Sequence, residues 1–568
     1  MVDFKNLENN KVEIDKMNNV TKLISGIRLV LGITFVVFLI ILFSTGDYVL
    51  YGIISGLLFL ALILFILFTN KYFKKLDSIK RIEQSYKFHN MRRNFKYMQF
   101  QDTGNDLKNK EDYKLADLDI FGKHSIYQYL SVCKTKYGRE NLANRLKFGS
   151  SDIKSKYSAS FLAETEDKIK LDASFLSFDA SAKSLDSEVI TNAFSRKIEF
   201  NYSFLIPLLS FVGTLVYLVL IFTNNLNPYL LFAFGFINFI LCRLFLVNEI
   251  FNLDSTGYYN LFESYIDVIN TLNEIEIKDD NLNEIKTNLN NNLINLKKSI
   301  SLLNLLSTRK NIIFNFITNF ICIFDFFIIF IYNFKTKNYS NLKDVFENVG
   351  KLEAISSLAN IGFDNNYYAI PEEGESIEGI DMYHPLVKEC IPNSFKLDGG
   401  VILTGSNMSG KTTFMRTIGL CQILANAQGL VPAIVFKTNN FEVLTSLRAN
   451  DMLQEGISTF YAEILRMKKI NQAIKEKKCL ILVDEIFKGT NTNDRVNAAS
   501  EVIKKLNNYN QLFIISTHDF ELCELDNIKN YHFNESYIND KIDFDYKIKE
   551  GKSDTKNAIY LLKIADII

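Results

Sequence analysis

Residues 29–43 and 48–69 are almost wholly apolar, and only Ser44-Thr45-Gly46-Asp47 separates them. An α-helix rises 1.5 Å per residue and a hydrocarbon core is about 30 Å thick, so the second run is long enough to cross a bilayer. The first is long enough with its flanks. A second pair repeats the design, residues 204–223 and 228–247, joined by the uncharged Asn224-Asn225-Leu226-Asn227. A buried core helix is the alternative for each pair. Four runs in two matched pairs are hard to bury that way, and two transmembrane helical hairpins are expected.

Positive charge sets the orientation. Lys5, Lys11, Lys16, Lys22 and Arg28 precede the first run, Lys71, Lys74, Lys75, Lys80 and Arg81 follow the second, and both hairpin tips lack Lys and Arg. Basic flanks stay cytoplasmic, which predicts a multi-pass protein of the cytoplasmic membrane with its soluble segments in the cytoplasm. Acidic and polar residues fill the N-terminus and no small-residue cleavage site follows the apolar run, so a retained segment is expected rather than a signal peptide. Arg243, near the cytoplasmic end of the fourth run, reads as a snorkelling anchor. A fifth apolar stretch, residues 312–334, contains Asn315, Asn319 and Asp325. An odd fifth span would move the C-terminal part to the other side, so a helix in the soluble core or along the membrane surface is expected.

With 64 basic and 64 acidic side chains, no global field points to a polyanionic partner, although a local basic groove is compatible with that balance. The seven cysteines are far apart with no C-x-x-C pair, and the five histidines share no metal-ligand spacing. This argues against a zinc site or a disulfide scaffold and for buried thiols in a reducing compartment.

The soluble parts divide by pattern. Residues 1–80 hold the first hairpin (about 29–69), 81–203 the first part of a helical core, and 204–247 the second hairpin. Residues 86–146 read as mainly helical, with a turn permitted by Gly138 after Thr135-Lys136-Tyr137. In 248–370, Leu282, Ile285, Leu289, Leu293, Leu296, Ile300 and Leu303 recur at spacings of three and four, the apolar stripe of a long lever helix. Residues 371–568 change to short apolar strands alternating with helices, the mark of an α/β domain with a largely parallel sheet.

That last segment carries the chemistry. The strand-like Val401-Ile402-Leu403-Thr404 runs into Gly405-Ser406-Asn407-Met408-Ser409-Gly410-Lys411-Thr412 and a helical Thr413-Phe414-Met415-Arg416. This is G-x-x-x-x-G-K-[ST] in its strand–loop–helix setting, predicting ATP held by residues 405–413. The glycines let backbone N–H groups wrap phosphate, the helix N-terminus adds its dipole, and Lys411 reaches the β and γ oxygens. A second apolar strand, Cys479-Leu480-Ile481-Leu482-Val483, ends in Asp484-Glu485. Thr412 and Asp484 are the expected magnesium ligands and Glu485 the base that activates water, with a merely solvated strand end as the alternative. A third strand leads to His518, read either as a sensor of the γ-phosphate or as a surface histidine. Glu485, His518 and Lys411 are thus the candidate catalytic residues.

Together, Met382-Tyr383-His384-Pro385-Leu386-Val387, the extended P-loop with its internal Asn-Met, Asp484-Glu485-Ile486-Phe487-Lys488-Gly489-Thr490-Asn491 and Ser516-Thr517-His518-Asp519 resemble the ATPase domain of the MutS mismatch-repair family. Gly456-Ile457-Ser458-Thr459-Phe460-Tyr461-Ala462-Glu463 is similar to that family's S-T-F-x-x-E segment. The resemblance implies a multidomain protein with an ABC/MutS-type P-loop domain, a mainly helical core and levers, and a homodimer formed through the ATPase domain. In that dimer Ser458 and Thr459 complete the partner's nucleotide site. Asp117 to Gly122, Thr135 and Gly138-Arg139 look like the opening of the family's core, here interrupted by the hairpins. The family's F-x-E mismatch wedge has no counterpart in the first 80 residues; Phe533-Asn534-Glu535 fits it only by chance, beyond the expected ATPase strands.

Two functions follow as expectations. One is a membrane-anchored MutS-like ATPase whose levers engage DNA, with Lys286, Lys297, Lys298, Arg309 and Lys310 as candidate phosphate contacts or as a solvated face. The other is a transport or membrane-remodelling ATPase that drives its hairpins without DNA. An inert scaffold would lack Glu485.

Overall fold

The computed structural model describes residues 5–45, 48–108, 113–183, 205–224, 230–245, 255–307, 342–406, 408–447, 459–487, 491–538 and 541–553. Helices α1 (Lys5–Thr45) and α2 (Tyr48–Arg93) form an antiparallel pair. Arg28 of α1 donates to Thr69 Oγ1 at 2.6 Å, Asn70 Oδ1 at 3.0 Å and the Ile66 carbonyl at 3.2 Å, closing the pair where its apolar part ends. Asn10–Phe38 and Leu50–Arg93 are long and apolar enough to cross a membrane, yet only 11% and 6% of their most apolar windows are buried within the chain. Leu29, Ile40, Leu57, Leu67 and Phe68 point outward. A core helix of a soluble domain would hide these side chains.

The second pair is α8 (Leu205–Asn224) and α9 (Leu230–Phe245). Between its helices, Asn238 donates to Thr214 Oγ1 at 2.9 Å and accepts from Ser210, so these three polar groups satisfy one another. The fifth apolar stretch, 312–334, lies outside the described residues.

The helical core comprises α3 (Tyr113–Asp117), α4 (Ile126–Leu130), α5 (Lys136–Phe148), α6 (Ser155–Glu164), α7 (Asp167–Phe175), α10 (Ser255–Glu274), α11 (Asp280–Ser307) and α12 (Leu342–Phe363). The stripe on α11 is buried at Leu282, Ile285, Leu289 and Leu296, while Ile294 opposite faces solvent.

Gly138 does not make a turn. It lies in the first turn of α5, where Thr135 is the N-cap and accepts from Gly138 N at 3.0 Å. The reason for glycine is close packing: a Cβ there would fall 2.0 Å from Glu353 Oε2, and one on Gly350 would fall 2.7 Å from the Tyr137 carbonyl carbon. Helices α5 and α12 therefore cross almost backbone to backbone. Glu353, fully buried in that crossing, accepts from Lys134 N at 2.7 Å and Thr135 Oγ1 at 2.5 Å. Burial nevertheless pushes its carboxyl up to about 7.

Helix α2 continues without a break past residue 80 and ends inside this core. His89 presents Nδ1 to Asp364 Oδ2 at 2.9 Å and Nε2 to Asp172 Oδ2 at 3.0 Å, while Arg92 Nε donates to the Tyr129 carbonyl at 2.7 Å and Arg93 to that of Phe363 at 2.7 Å. Burial works against a charge on Asp172, but the Lys168 ammonium at 2.5 Å and the His89 ring outweigh it and hold that carboxyl well below the usual range.

Beyond α12 lie two sheets. The smaller joins β1 (Glu372–Glu373), β5 (Val435–Thr438), β2 (Ile377–Met382) and β3 (Asn393–Leu397) in that order. The larger has the order β10-β9-β4-β8-β7-β6, built from β4 (Gly400–Thr404), β6 (Glu442–Ser446), β7 (Cys479–Asp484), β8 (Leu512–Ser516), β9 (Lys529–Ile538) and β10 (Lys541–Glu550). All its neighbours are parallel except β10 against β9. Strands β4 and β8 are buried throughout, as continuous Val/Ile/Leu runs in a covered parallel sheet should be. Helices α13 (Lys411–Asn426), α14 (Thr459–Ala473) and α15 (Thr492–Asn508) complete this part of the chain. Mixed α/β sheets and a largely helical remainder are thus the architecture.

A candidate nucleotide-binding site

Strand β4 delivers the chain to a loop that needs glycine at two positions. Gly405 has φ +136° and Gly410 φ +106°; a Cβ on the first would meet the Phe533 carbonyl oxygen at 2.7 Å, on the second Tyr546 Cδ1 at 3.2 Å. No side chain caps the N-terminus of α13, so its first N–H groups face the loop interior. Lys411 is buried and folds back, donating to the carbonyls of Gly405 at 2.6 Å and Ser406 at 2.8 Å. Ser409 Oγ donates to the Ser406 carbonyl at 2.9 Å, tightening the curl. Met408 stands out into solvent. Asn407 lies outside the described residues.

The end of β7 lies beside this loop. Thr412 Oγ1 donates to Asp484 Oδ2 at 2.7 Å, and Ser516 Oγ, at the end of β8, donates to the other oxygen of Asp484. One carboxylate is thereby fixed between the P-loop helix and the neighbouring strand. Glu485 follows with φ 55°, a left-handed backbone uncommon for its type, and its N–H is held by the Ser516 carbonyl at 3.1 Å. His518 Nε2 is 3.4 Å from Glu485 Oε1. The turn carrying His518 is braced by Arg495 of α15, which grips Asp519 through two bonds of 2.6 and 2.8 Å.

Lys411, Thr412, Thr413, Asp484 and Glu485 all line one cavity of about 890 Å³. Met382, Val387, Phe533, Phe544 and Tyr546 add apolar surface to the same lining, alongside Lys388, Glu389 and Asp545. The Thr412 hydroxyl and the Asp484 carboxylate fit magnesium, a hard cation that takes one or two protein oxygens and completes its shell from phosphate and water. Among the described residues no group of three or more His, Cys, Asp or Glu is placed to hold a metal ion.

The hairpin of β9 and β10 was not anticipated. Phe533-Asn534-Glu535 does not lie beyond the sheet that carries the site: β9 pairs in parallel with β4, and Glu535 accepts a hydrogen bond from Ser406 inside the P-loop. The signal for it is present as the strict alternation of Ile542, Phe544, Tyr546 and Ile548 after Asn539-Asp540. Ser458 falls outside the described residues; Thr459 opens α14. Of the basic residues on the lever, Lys286 donates to the Ile275 carbonyl at 3.1 Å at the end of α10, Lys297 and Lys298 are exposed, and Arg309 and Lys310 lie outside the described residues.

Residues 401–567 match the family model of MutS domain V. The chain is 32% identical over 238 residues to the DNA mismatch repair protein MutS of Persephonella marina, covering 39% of this chain and 27% of that protein. To the Bacillus subtilis protein of the same name it is 32% identical over 252 residues, 41% of this chain and 29% of the relative. To that of Clostridium tetani it is 33% identical over 239 residues, 39% and 27%. The chain thus aligns with little more than a quarter of the length of these relatives.

Proposed function

We propose that this chain is a membrane-anchored ATPase of MutS type, working as a homodimer that binds ATP with magnesium and couples its hydrolysis to movement of the helical core. The observation that carries the reading is the convergence of Lys411, Thr412, Asp484 and Glu485 on a single cavity. Lys411 exchanges the neutral carbonyl acceptors of Gly405 and Ser406 for anionic phosphate oxygens, which adds charge attraction to the hydrogen bond. Thr412 and Asp484 would hold magnesium, which would supply neutralisation of the charge developing on the transferred phosphoryl group. Ser516 keeps Asp484 turned toward Thr412, and the backbone anchor at Glu485 aims its carboxylate at an attacking water, whose proton it accepts. His518, beside Glu485, orients that carboxylate and senses the γ-phosphate. The apolar side chains in the lining, Phe533, Phe544 and Tyr546 among them, offer contact to the purine base.

In this reading Ser458 and Thr459 complete the site of the partner protomer, and both hairpins hold the chain in the cytoplasmic membrane with the ATPase inside. The outward-facing apolar side chains of α1 and α2 support the anchor, because water would leave them uncovered. The MutS proteins it resembles are named for DNA mismatch repair, and DNA is the proposed ligand of the levers. A second reading, a remodelling or transport ATPase without DNA, is favoured by one feature: α2 joins the apolar hairpin directly to the core without a hinge.

Detergent-purified protein, assayed for DNA binding across salt concentrations with and without ATP, separates the two. A salt-dependent signal that changes with nucleotide supports the levers-on-DNA reading; ATP turnover with no DNA binding at any salt sinks it in favour of the second.

A further inference from the structure

The end of α3 and the turn that follows it touch the ATPase part through two carboxylates. Asp117 is fully buried, and its Oδ2 accepts from Leu447 N at 2.9 Å and faces Arg466 Nη1 at 3.5 Å. Arg466, on α14, is itself buried, with its guanidinium 4.6 Å from the ring centre of Tyr113. Asp119 faces Arg416 Nη1 of α13 at 3.3 Å. Leu118, between them, packs so closely on α13 that a Cβ at Gly419 would lie 3.0 Å from its Cδ2. A single turn of the core therefore holds the P-loop helix with one carboxylate and α14 with the other.

We infer that Asp117 is a positioning residue for α14, and hence for the half-site this chain offers its partner, whereas Asp119 positions α13 and the P-loop of its own protomer. The inference rests on the composite dimer proposed above. Asp117 ties the end of β6 to α14, which fixes where α14 begins relative to the sheet. Thr459, the first residue of α14, lies about two turns before Arg466, so displacing Arg466 carries the helix start with it. Both partners of the Asp117–Arg466 contact are desolvated, and a buried pair of this kind resists separation far more than an exposed one.

Mixing experiments on ATP turnover by the full-length, detergent-purified protein test this. The control, Lys411→Ala protomers mixed with Ser458→Arg protomers, recovers one working site if sites are composite; if heterodimers form without recovery, the dimer reading falls. With that control positive, Asp117→Asn alone should lower turnover about 10- to 100-fold, the effect of a small misplacement, with nucleotide affinity within about twofold of wild type. Its heterodimer with Lys411→Ala should recover activity and its heterodimer with Ser458→Arg should not. Asp119→Asn should show the opposite pairing. Arg466→Met, which leaves the Asp117–Leu447 bond in place, must pair as Asp117→Asn does and stands in for it if that variant fails to fold. Wild-type turnover by both Asp117→Asn and Arg466→Met, or recovery with Ser458→Arg instead of Lys411→Ala, overturns the inference.

Discussion

The hydroxyl of Thr412, in the helix that follows β4, donates to Asp484 Oδ2 at the end of β7 across 2.7 Å, although β4 and β7 are not neighbours in the sheet. Strand β8 lies between them and contributes Ser516 to the same carboxylate. Two oxygens suited to one cation are thus set by the sheet order itself. Asp484→Asn should cut ATP turnover by about 100-fold or more, the scale of removing one preorganised charge at a reacting centre. A magnesium titration of turnover should also shift to higher concentration. An unshifted titration would remove Asp484 from the metal site.

Glu485→Gln should keep ATP binding and lose hydrolysis by about 10²- to 10⁴-fold, because a base acts in the chemical step and not in holding phosphate. Lys411→Ala should do the reverse first, weakening nucleotide binding by about 1.5–3 kcal/mol, the net worth of a hydrogen bond to a charged group. Equilibrium binding and single-turnover hydrolysis on both variants check the division. Wild-type turnover in Glu485→Gln would require another base.

The membrane reading predicts sidedness. In a background without reactive thiols, Asp47→Cys and Asn225→Cys should react with an impermeant reagent added outside intact cells. Lys75→Cys should react only after lysis. Labelling of Lys75→Cys from outside would invert the topology deduced from the basic flanks.

Glu353 makes stability fall as pH rises in a defined window. Its folded value of about 7 lies above its ordinary 4.5, so the folded protein binds more protons than the unfolded chain between those values. The stabilisation is complete below about pH 4.5 and is lost as pH rises through about 7. Glu353→Gln should flatten the slope of melting temperature against pH between those limits. The same slope in wild type and variant would assign it to another group.

The sequence displays those parts of the site that are local. Gly405, Gly410, Lys411 and Thr412 sit in one loop, and Asp484 and Glu485 end one apolar strand, so spacing alone points to them. The apolar stripe of α11 is legible for the same reason. What sequence hides is pairing between distant segments. Nothing near Asp117 announces Arg466, nothing near Gly138 announces Glu353, and Ser406 gives no hint of Glu535. Gly138 was legible as a special residue but not for its purpose, because a glycine marks a turn and a backbone crossing alike.

Helix α2 has 46 residues and no proline, making a rod of about 69 Å at 1.5 Å per residue. One end is clamped through His89, Arg92 and Arg93, and the other carries the outward-facing leucines and phenylalanines. A rod held this way turns rotation into displacement, about 1 Å at the far end for each degree at the clamp. In the membrane-anchored reading, every turn of the core against the ATPase sheets must therefore drag the hairpin through lipid. The bilayer becomes a mechanical load on the nucleotide cycle, and a stiffer or thicker membrane should slow ATP turnover even where it touches no residue of the site.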